Sequence, residues 1–132
     1  MPEKLQCFLY HSELVPAASV VNVQDIVREA RNFNKAHQIT GMLMFDGLRF
    51  VQYIEGAPDK VQLLISKLSS DSRHTNITHQ HSLLRTGDRL FGNWSMGYVL
   101  LEGDDHLGAI TPLRGDLAVK KLEEMLPELD FW

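Results

Sequence analysis

Three short segments of this chain are apolar at consecutive positions rather than at alternate ones. Leu5 to Tyr10, Ile39 to Phe45 and Phe50 to Ile54 carry apolar side chains on both parities of an extended strand. Successive residues of a strand point to opposite faces, so a sheet built from these segments must be covered on both. The rest of the chain therefore has to supply two layers of cover.

Two helical patterns provide the first layer. Asn22 reads as an N-cap with Asp25 at the third helical position, opening a helix to about His37. Val23, Ile26, Val27, Ala30 and His37 recur on it at spacings of three and four. Pro58 opens a second helix, with Val61, Leu64, Ile65 and Leu68 as its apolar stripe. Around these, Leu5 to His11 is the first strand, Ile39 to Phe45 the second, and Asp46-Gly47 the turn into a third from about Phe50. Asn76 to Leu84 and Trp94 to Leu101 read as the last two. The order β-α-β-β-α-β-β is an α+β, ferredoxin-like plan with an added strand. Its two helices cover one face. The segment with Leu117, Leu122, Met125 and Leu126 between Pro112 and Pro127 is the natural cover for the other. The expected division is a domain over 1–102 and a helical extension over 103–132.

Composition narrows the class. The net charge is −4, with both signs mixed along the chain, which argues against a nucleic-acid surface and against a polybasic membrane anchor. The apolar runs are strand-sized, too short to span a bilayer, and Met1-Pro2-Glu3-Lys4 lacks the apolar region of a secretory signal. The single cysteine, Cys7, has no internal partner and suits a reducing compartment. The expectation is a cytoplasmic protein.

Three polar residues break the apolar pattern. Asn34 falls on the stripe of the first helix, Gln52 interrupts Phe50-Val51-Gln52-Tyr53-Ile54, and Tyr10 ends the first strand's run. A buried amide left unpaired costs about 1–3 kcal/mol, so two amides and a phenol near one core should share a partner, and a ligand can be that partner.

The residues around these three resemble those of the BLUF family, flavin-binding sensors of blue light. The matching pieces stand in order: Leu9-Tyr10-His11-Ser12, Ala30-Arg31-Asn32-Phe33-Asn34, Ile39-Thr40-Gly41-Met42-Leu43 and Phe50-Val51-Gln52-Tyr53-Ile54-Glu55-Gly56. Asp71-Ser72-Arg73-His74 and Arg89-Leu90-Phe91-Gly92-Asn93-Trp94-Ser95-Met96 complete them. The resemblance implies FAD held between the two helices, with Tyr10 exchanging an electron and proton with it and Gln52 lying between that phenol and the ring. It implies that Asn34 fixes the ring, Ile26 packs on it, and Arg73 and His74 flank it. Trp94 and Met96, expected at the same parity of strand five, would pass the signal outward through the C-terminal segment from about Asp105 to Trp132. No catalytic residue is expected, since the family's module turns nothing over. The output of a short, stand-alone sensor would travel by association with a downstream protein or by homo-oligomerisation.

The chemistry suits these residue types. A tyrosine with an ordinary pKa near ~10 stays protonated and loses its proton only together with an electron. A glutamine carries donor and acceptor on one end group, so turning it swaps what it presents.

Other residues admit plainer roles. Arg31 and Lys35, one turn apart beside Asn34, either reach the FAD phosphates or form a solvated face. His79 and His81, expected on one strand face near His74, lack thiolate and carboxylate partners at metal spacing, so no metal is expected. Cys7 reads as a core filler. Two rival functions remain: a ferredoxin-like ligand-binding or interaction module without photochemistry, and an acylphosphatase-like hydrolase. The latter needs a basic, glycine-rich anion loop that the Ser12 to Ser19 connection lacks.

Overall fold

The computed structural model describes residues 4–16, 20–92, 94–102 and 106–128. Residues 1–3, the last part of the Ser12 to Ser19 connection, Asn93, Asp105 and residues 129–132 lie outside the described residues. Strands β1 (Lys4–Leu14), β2 (Thr40–Phe45), β3 (Arg49–Gly56), β4 (His74–Thr86) and β5 (Gly97–Leu100) form one sheet in the order β4-β1-β3-β2-β5. The first four pair antiparallel, and β5 adds to β2 in parallel. Helix α1 (Val20–Ala36) joins β1 to β2, α2 (Pro58–Ser69) joins β3 to β4, and α3 (Gly115–Met125) follows β5. This is the expected ferredoxin-like order with one strand added.

The two-sided strands do what their pattern demands. On one face Val23 and Val27 of α1 meet Leu43, Phe45, Phe50, Met96 and Tyr98, while Val61 and Leu64 of α2 meet Phe8, Tyr10, Ile39 and Ile54. On the other, Cys7, Leu9, Met42, Met44, Val51 and Tyr53 pack with Leu107, Ile110, Ala118 and Leu122 of the C-terminal segment. Fully burying a side chain of this size is worth about 1.5–3 kcal/mol, so α3 is an integral layer of the core. Leu117, however, is 66% exposed. The stripe of α3 runs through Ala118, Leu122 and Met125, and Leu117 lies a sixth of a turn or more off it.

Several boundaries move. Asn22 sits inside the first turn of α1 and does not cap it, because Val20 and Val21 already join the helix; β-branching costs a helix only about 0.5 kcal/mol per residue. The helix ends at Ala36, and just beyond it Gln38 takes the left-handed conformation (φ 55) as the Ile39 amide donates back to the Asn34 carbonyl. In the β2–β3 hairpin Asp46 accepts from the amides of Leu48 and Arg49, and Gly47 supplies φ 99. Gly41 is forced: a Cβ there would lie 2.0 Å from the Tyr53 carbonyl oxygen.

The fifth strand starts three residues later than expected, so Trp94 and Met96 precede it. The Trp94 amide closes a turn onto the Phe91 carbonyl, and the indole covers Gly97, where a Cβ would lie 2.5 Å from the ring. Trp94 stacks on Phe91, a member of the core under α3, whereas Met96 belongs to the core under α1. The shared parity expected of the pair fails because a turn, not a strand, connects them.

His79 and His81 also part company. β4 carries two irregularities against β1: Leu9 pairs with His81 but Tyr10 with His79, and His11 pairs with Thr78 but Glu13 with Thr75. Gln80 is the extra residue in the first bulge and Asn76, at φ 54, in the second. His79 therefore lies edge-on to Phe8 on the α1–α2 face, and His81 faces the other way beside Leu9. Gln80, aimed by its bulge toward α3, donates to the carbonyls of Ile110 and Leu113 at 2.9 and 3.1 Å and pins the turn that leads into the helix.

Candidate functional site

Between α1 and α2 a cleft of about 600 Å3, its open mouth included, reaches down to the sheet. Tyr10, Leu43, Phe50 and Gln52 line its sheet side; Ile26, Glu29, Ala30 and Phe33 come from α1; Leu64, Lys67 and Leu68 come from α2; Asp71, Arg73 and His74 close one end. Its size and its apolar lining with a few convergent polar groups suit a planar aromatic ligand.

Tyr10 and Gln52 are direct partners across the β1–β3 ladder, so their side chains leave the sheet on the same face. The buried Tyr10 hydroxyl donates to Gln52 Oε1. Burial, and secondarily the negative charge of Asp71, pushes the phenol far above its ordinary pKa, so Tyr10 is protonated at any working pH. The Gln52 amino group points to Met96 Sδ at 3.8 Å. Asn34 is fully buried behind the cleft; its amino group donates to the Ser95 carbonyl at 2.8 Å, and its own carbonyl oxygen has no hydrogen-bond partner in the protein. An orphaned buried acceptor beside a cleft fits a ligand that brings an N–H, as the flavin ring does.

His74 is held at both nitrogens, by Ser12 Oγ at 2.9 Å and the Leu68 carbonyl at 3.0 Å. Arg73 lies between Asp71 and Glu29, which together hold its guanidinium above its ordinary pKa, the Asp71 hydrogen bond first; Arg73 in turn holds the Asp71 carboxyl below the usual range. The structure thus brings Tyr10, Ile26, Gln52, Arg73 and His74 around one cleft, with Asn34 and Met96 behind it. Arg31 and Lys35 do not line it. Arg31 turns instead to the Met96 carbonyl, 3.0 Å from its Nε, and Lys35 is exposed. Trp94 stands apart, 39% exposed.

Two cleft residues escaped the sequence reading. Phe33, given no role of its own within the motif that ends at Asn34, forms one wall, stacked on His37 with ring centroids 4.1 Å apart. Lys67, in the last turn of α2, lies 4.7 Å over the Phe33 ring. The available signal was its place one turn beyond Leu64 on the helix face that meets α1. Among the described residues no cluster of His, Cys, Asp and Glu could hold a metal, and no helix is long and apolar enough to cross a membrane.

Comparison with known proteins points the same way. The family model described as "Sensors of blue-light using FAD" matches residues 5–97. The blue light- and temperature-regulated antirepressor BluF of Escherichia coli is 30% identical over 73 residues, which is 55% of this chain and 18% of that protein. The solved structure of BlrB, a BLUF protein in its dark state, is 29% identical with a TM-score of 0.74, covering 96% of this chain and 97% of that one. Klebsiella pneumoniae BlrP1, solved with FMN and cyclic diGMP, is 29% identical with a TM-score of 0.64, covering 73% of this chain and 26% of that one. The chain spans less than a third of the BluF and BlrP1 chains but nearly all of BlrB. A family match over most of the chain, on a fold shared with BlrB, means that the chain belongs to the BLUF family of flavin-binding blue-light sensors.

Proposed function

We propose that this protein senses blue light with FAD held between α1 and α2, and that Tyr10 and Gln52 form its switch. The observation that carries the reading is the hydrogen bond from the Tyr10 hydroxyl to Gln52 Oε1 on the cleft floor. A bound flavin supplies absorption of blue light and, once excited, a demand for an electron. Tyr10 suits that demand, because its buried proton leaves only with the electron. Gln52 is free to respond: its oxygen is tied to the phenol that changes, and its amino group faces a thioether, a weak acceptor. Turning the carboxamide trades hydrogen bonds worth about 1 kcal/mol each, enough to bias a packed element without unfolding it.

Asn34 would hold the ring through its unpartnered carbonyl, and Ile26 and Phe33 would flank it. Arg73 and Lys67 offer positive charge to a phosphate, offset by Glu29 and Asp71. FAD is preferred on the family's description; FMN, found with the Klebsiella relative, is the alternative occupant. We further propose that the protein acts in the cytoplasm without turnover and signals by association, with a downstream protein or a second copy, through Trp94, Met96 and the C-terminal layer.

The light-minus-dark absorption spectrum of the purified protein tests this. The expected result is a yellow protein whose flavin band moves to longer wavelength in blue light and returns in the dark. A protein that takes up neither FAD nor FMN would sink the proposal. Flavin bound without a shift would instead indicate a ligand-binding module lacking photochemistry.

A further inference from the structure

The turn that carries Met96 to its place beside Gln52 lies outside the sheet ladder, and its main chain is held carbonyl by carbonyl. The Trp94 carbonyl accepts from the Gly41 amide of β2 at 3.0 Å, the Ser95 carbonyl from Asn34 Nδ2 at 2.8 Å, and the Met96 carbonyl from Arg31 Nε at 3.0 Å. Regular pairing with β2 begins only at Gly97. Two of the three clamps are thus side chains from one face of α1, at positions i and i+3.

We propose that Arg31 is a positioning residue of the photocycle: by gripping the Met96 carbonyl it fixes the Met96 sulfur against the Gln52 amino group. The proposal rests on the Tyr10–Gln52 switch proposed above. A methionine has three rotatable side-chain bonds, so its sulfur is placed only as well as its backbone is. The backbone here lacks a strand partner at that carbonyl and depends on the guanidinium. Arg31 suits the task because its Nε–H sits close to the stem and points sideways, whereas a lysine offers donors only at the tip. Once Gln52 has turned, the same Met96 sulfur contributes to the energy of the turned state, so loosening it changes how fast the dark state returns.

The competing role for Arg31, a phosphate ligand of FAD, makes a different demand. A phosphate ligand discriminates FAD from riboflavin; a clamp on Met96 does not. The experiment is therefore Arg31→Met, which keeps the stem and removes the donors, with Arg31→Lys as a second variant that keeps the charge but loses Nε. Both are compared with the parent for the ratio of FAD to riboflavin affinity, the size of the light-induced shift, and the dark-recovery rate. Each variant is then repeated in a Met96→Leu background. The expected result is an unchanged affinity ratio, a retained shift, and recovery changed at least threefold by either variant, with that change abolished once Met96 is leucine. An altered affinity ratio with unaltered recovery would make Arg31 a phosphate ligand. A recovery effect that persists undiminished in the Met96→Leu background would mean that Arg31 does not act through Met96. Either result, or no effect at all, overturns the proposal. A parent without any shift would remove the photocycle itself, which the first spectrum reveals before any variant is made.

Discussion

On the face of the sheet under α3, the buried Glu55 carboxylate receives Arg85 Nη2 and the Phe91 amide, both at 3.0 Å, with the Cys7 thiol nearby. On the opposite face, two neutral amides, Gln52 and Asn34, are about equally buried and less completely bonded. Gln52 turns its amino group to a sulfur, and the Asn34 carbonyl oxygen has no partner in the protein. Glu55 and Gln52 lie three residues apart on one strand, and so on opposite faces of it. Polar groups saturated by the protein hold it together; polar groups left open by the protein await something else. Burial alone does not separate the two cases, and bonding capacity left over does.

The comparison is most severely tested at Glu55. Glu55→Ala should cost about 3–5 kcal/mol in urea unfolding, because it leaves the buried Phe91 amide without an acceptor and a cavity where the carboxylate stood, while Arg85 keeps the Asp88 carbonyl. A loss under about 1 kcal/mol would show that the α3 face does not depend on this saturated cluster. Next, Leu122→Ala should cost about 2–5 kcal/mol by opening a cavity under α3. Leu117→Ala, on the exposed side of the same helix, should stay within about 0.5 kcal/mol. Equal losses would mean that α3 docks in another orientation.

At Gln52 the expected signature is reversed. Gln52→Leu should move stability by only about 1 kcal/mol yet abolish the light-induced shift, and Tyr10→Phe should do the same while still binding flavin. A normal shift in either variant would remove that residue from the switch. Hydrogen exchange of lit and dark protein then asks whether the change crosses the sheet: identical protection in β5 and α3 would exclude the C-terminal layer as the output route.

The smallest expected effect sharpens the comparison at a loose end of the α3 face. His11 Nδ1 and Gln80 Oε1 are both buried there, their side chains close to one another but short of a well-formed hydrogen bond. Burial lowers the His11 pKa, partly countered by the Gln80 side chain, with Arg114 and Arg49 lowering it further and Glu13 raising it. The folded state therefore binds this proton less readily than the unfolded chain. Stability is retained above the unfolded value of about 6.5 and declines as pH falls below it, levelling off beneath the lowered folded value. His11→Asn should flatten the dependence of Tm on pH between about 5 and 7 by a degree or so; an unchanged slope would show that His11 does not contribute.

Much of this was legible in the sequence because apolar periodicity is a local signal. The two-sided strands required two covers, and the polar outliers Tyr10, Gln52 and Asn34 stand where the pattern isolates them. What escaped were features set by tertiary pairing. Whether Arg31 reaches a ligand or a carbonyl depends on where the turn before β5 runs, 65 residues away. Whether Trp94 and Met96 share a face depends on where that strand begins. Lys67 and Phe33 became cleft residues only because α1 and α2 lie side by side, and neither helix's own pattern says so.

The two bulges of β4 behave like a pair of compensating frameshifts. β4 uses 13 residues where its partner β1 uses 11, and the surplus of two is taken up at Gln80 and Asn76. Between them the in–out phase of the strand is inverted, which brings Ile77 into the core under α2; beyond Asn76 the phase is restored, and His74 arrives opposite Leu14, within 2.9 Å of Ser12. Removing either surplus residue alone would turn its bulge into regular pairing and leave every other residue opposite its present partner, because the extra residue has no partner to lose. Single-residue losses in this strand are therefore tolerable at Gln80 or at Asn76 independently, whereas elsewhere a slip of one residue exchanges the faces of the strand, and a relative of this chain can lose one bulge and keep the other.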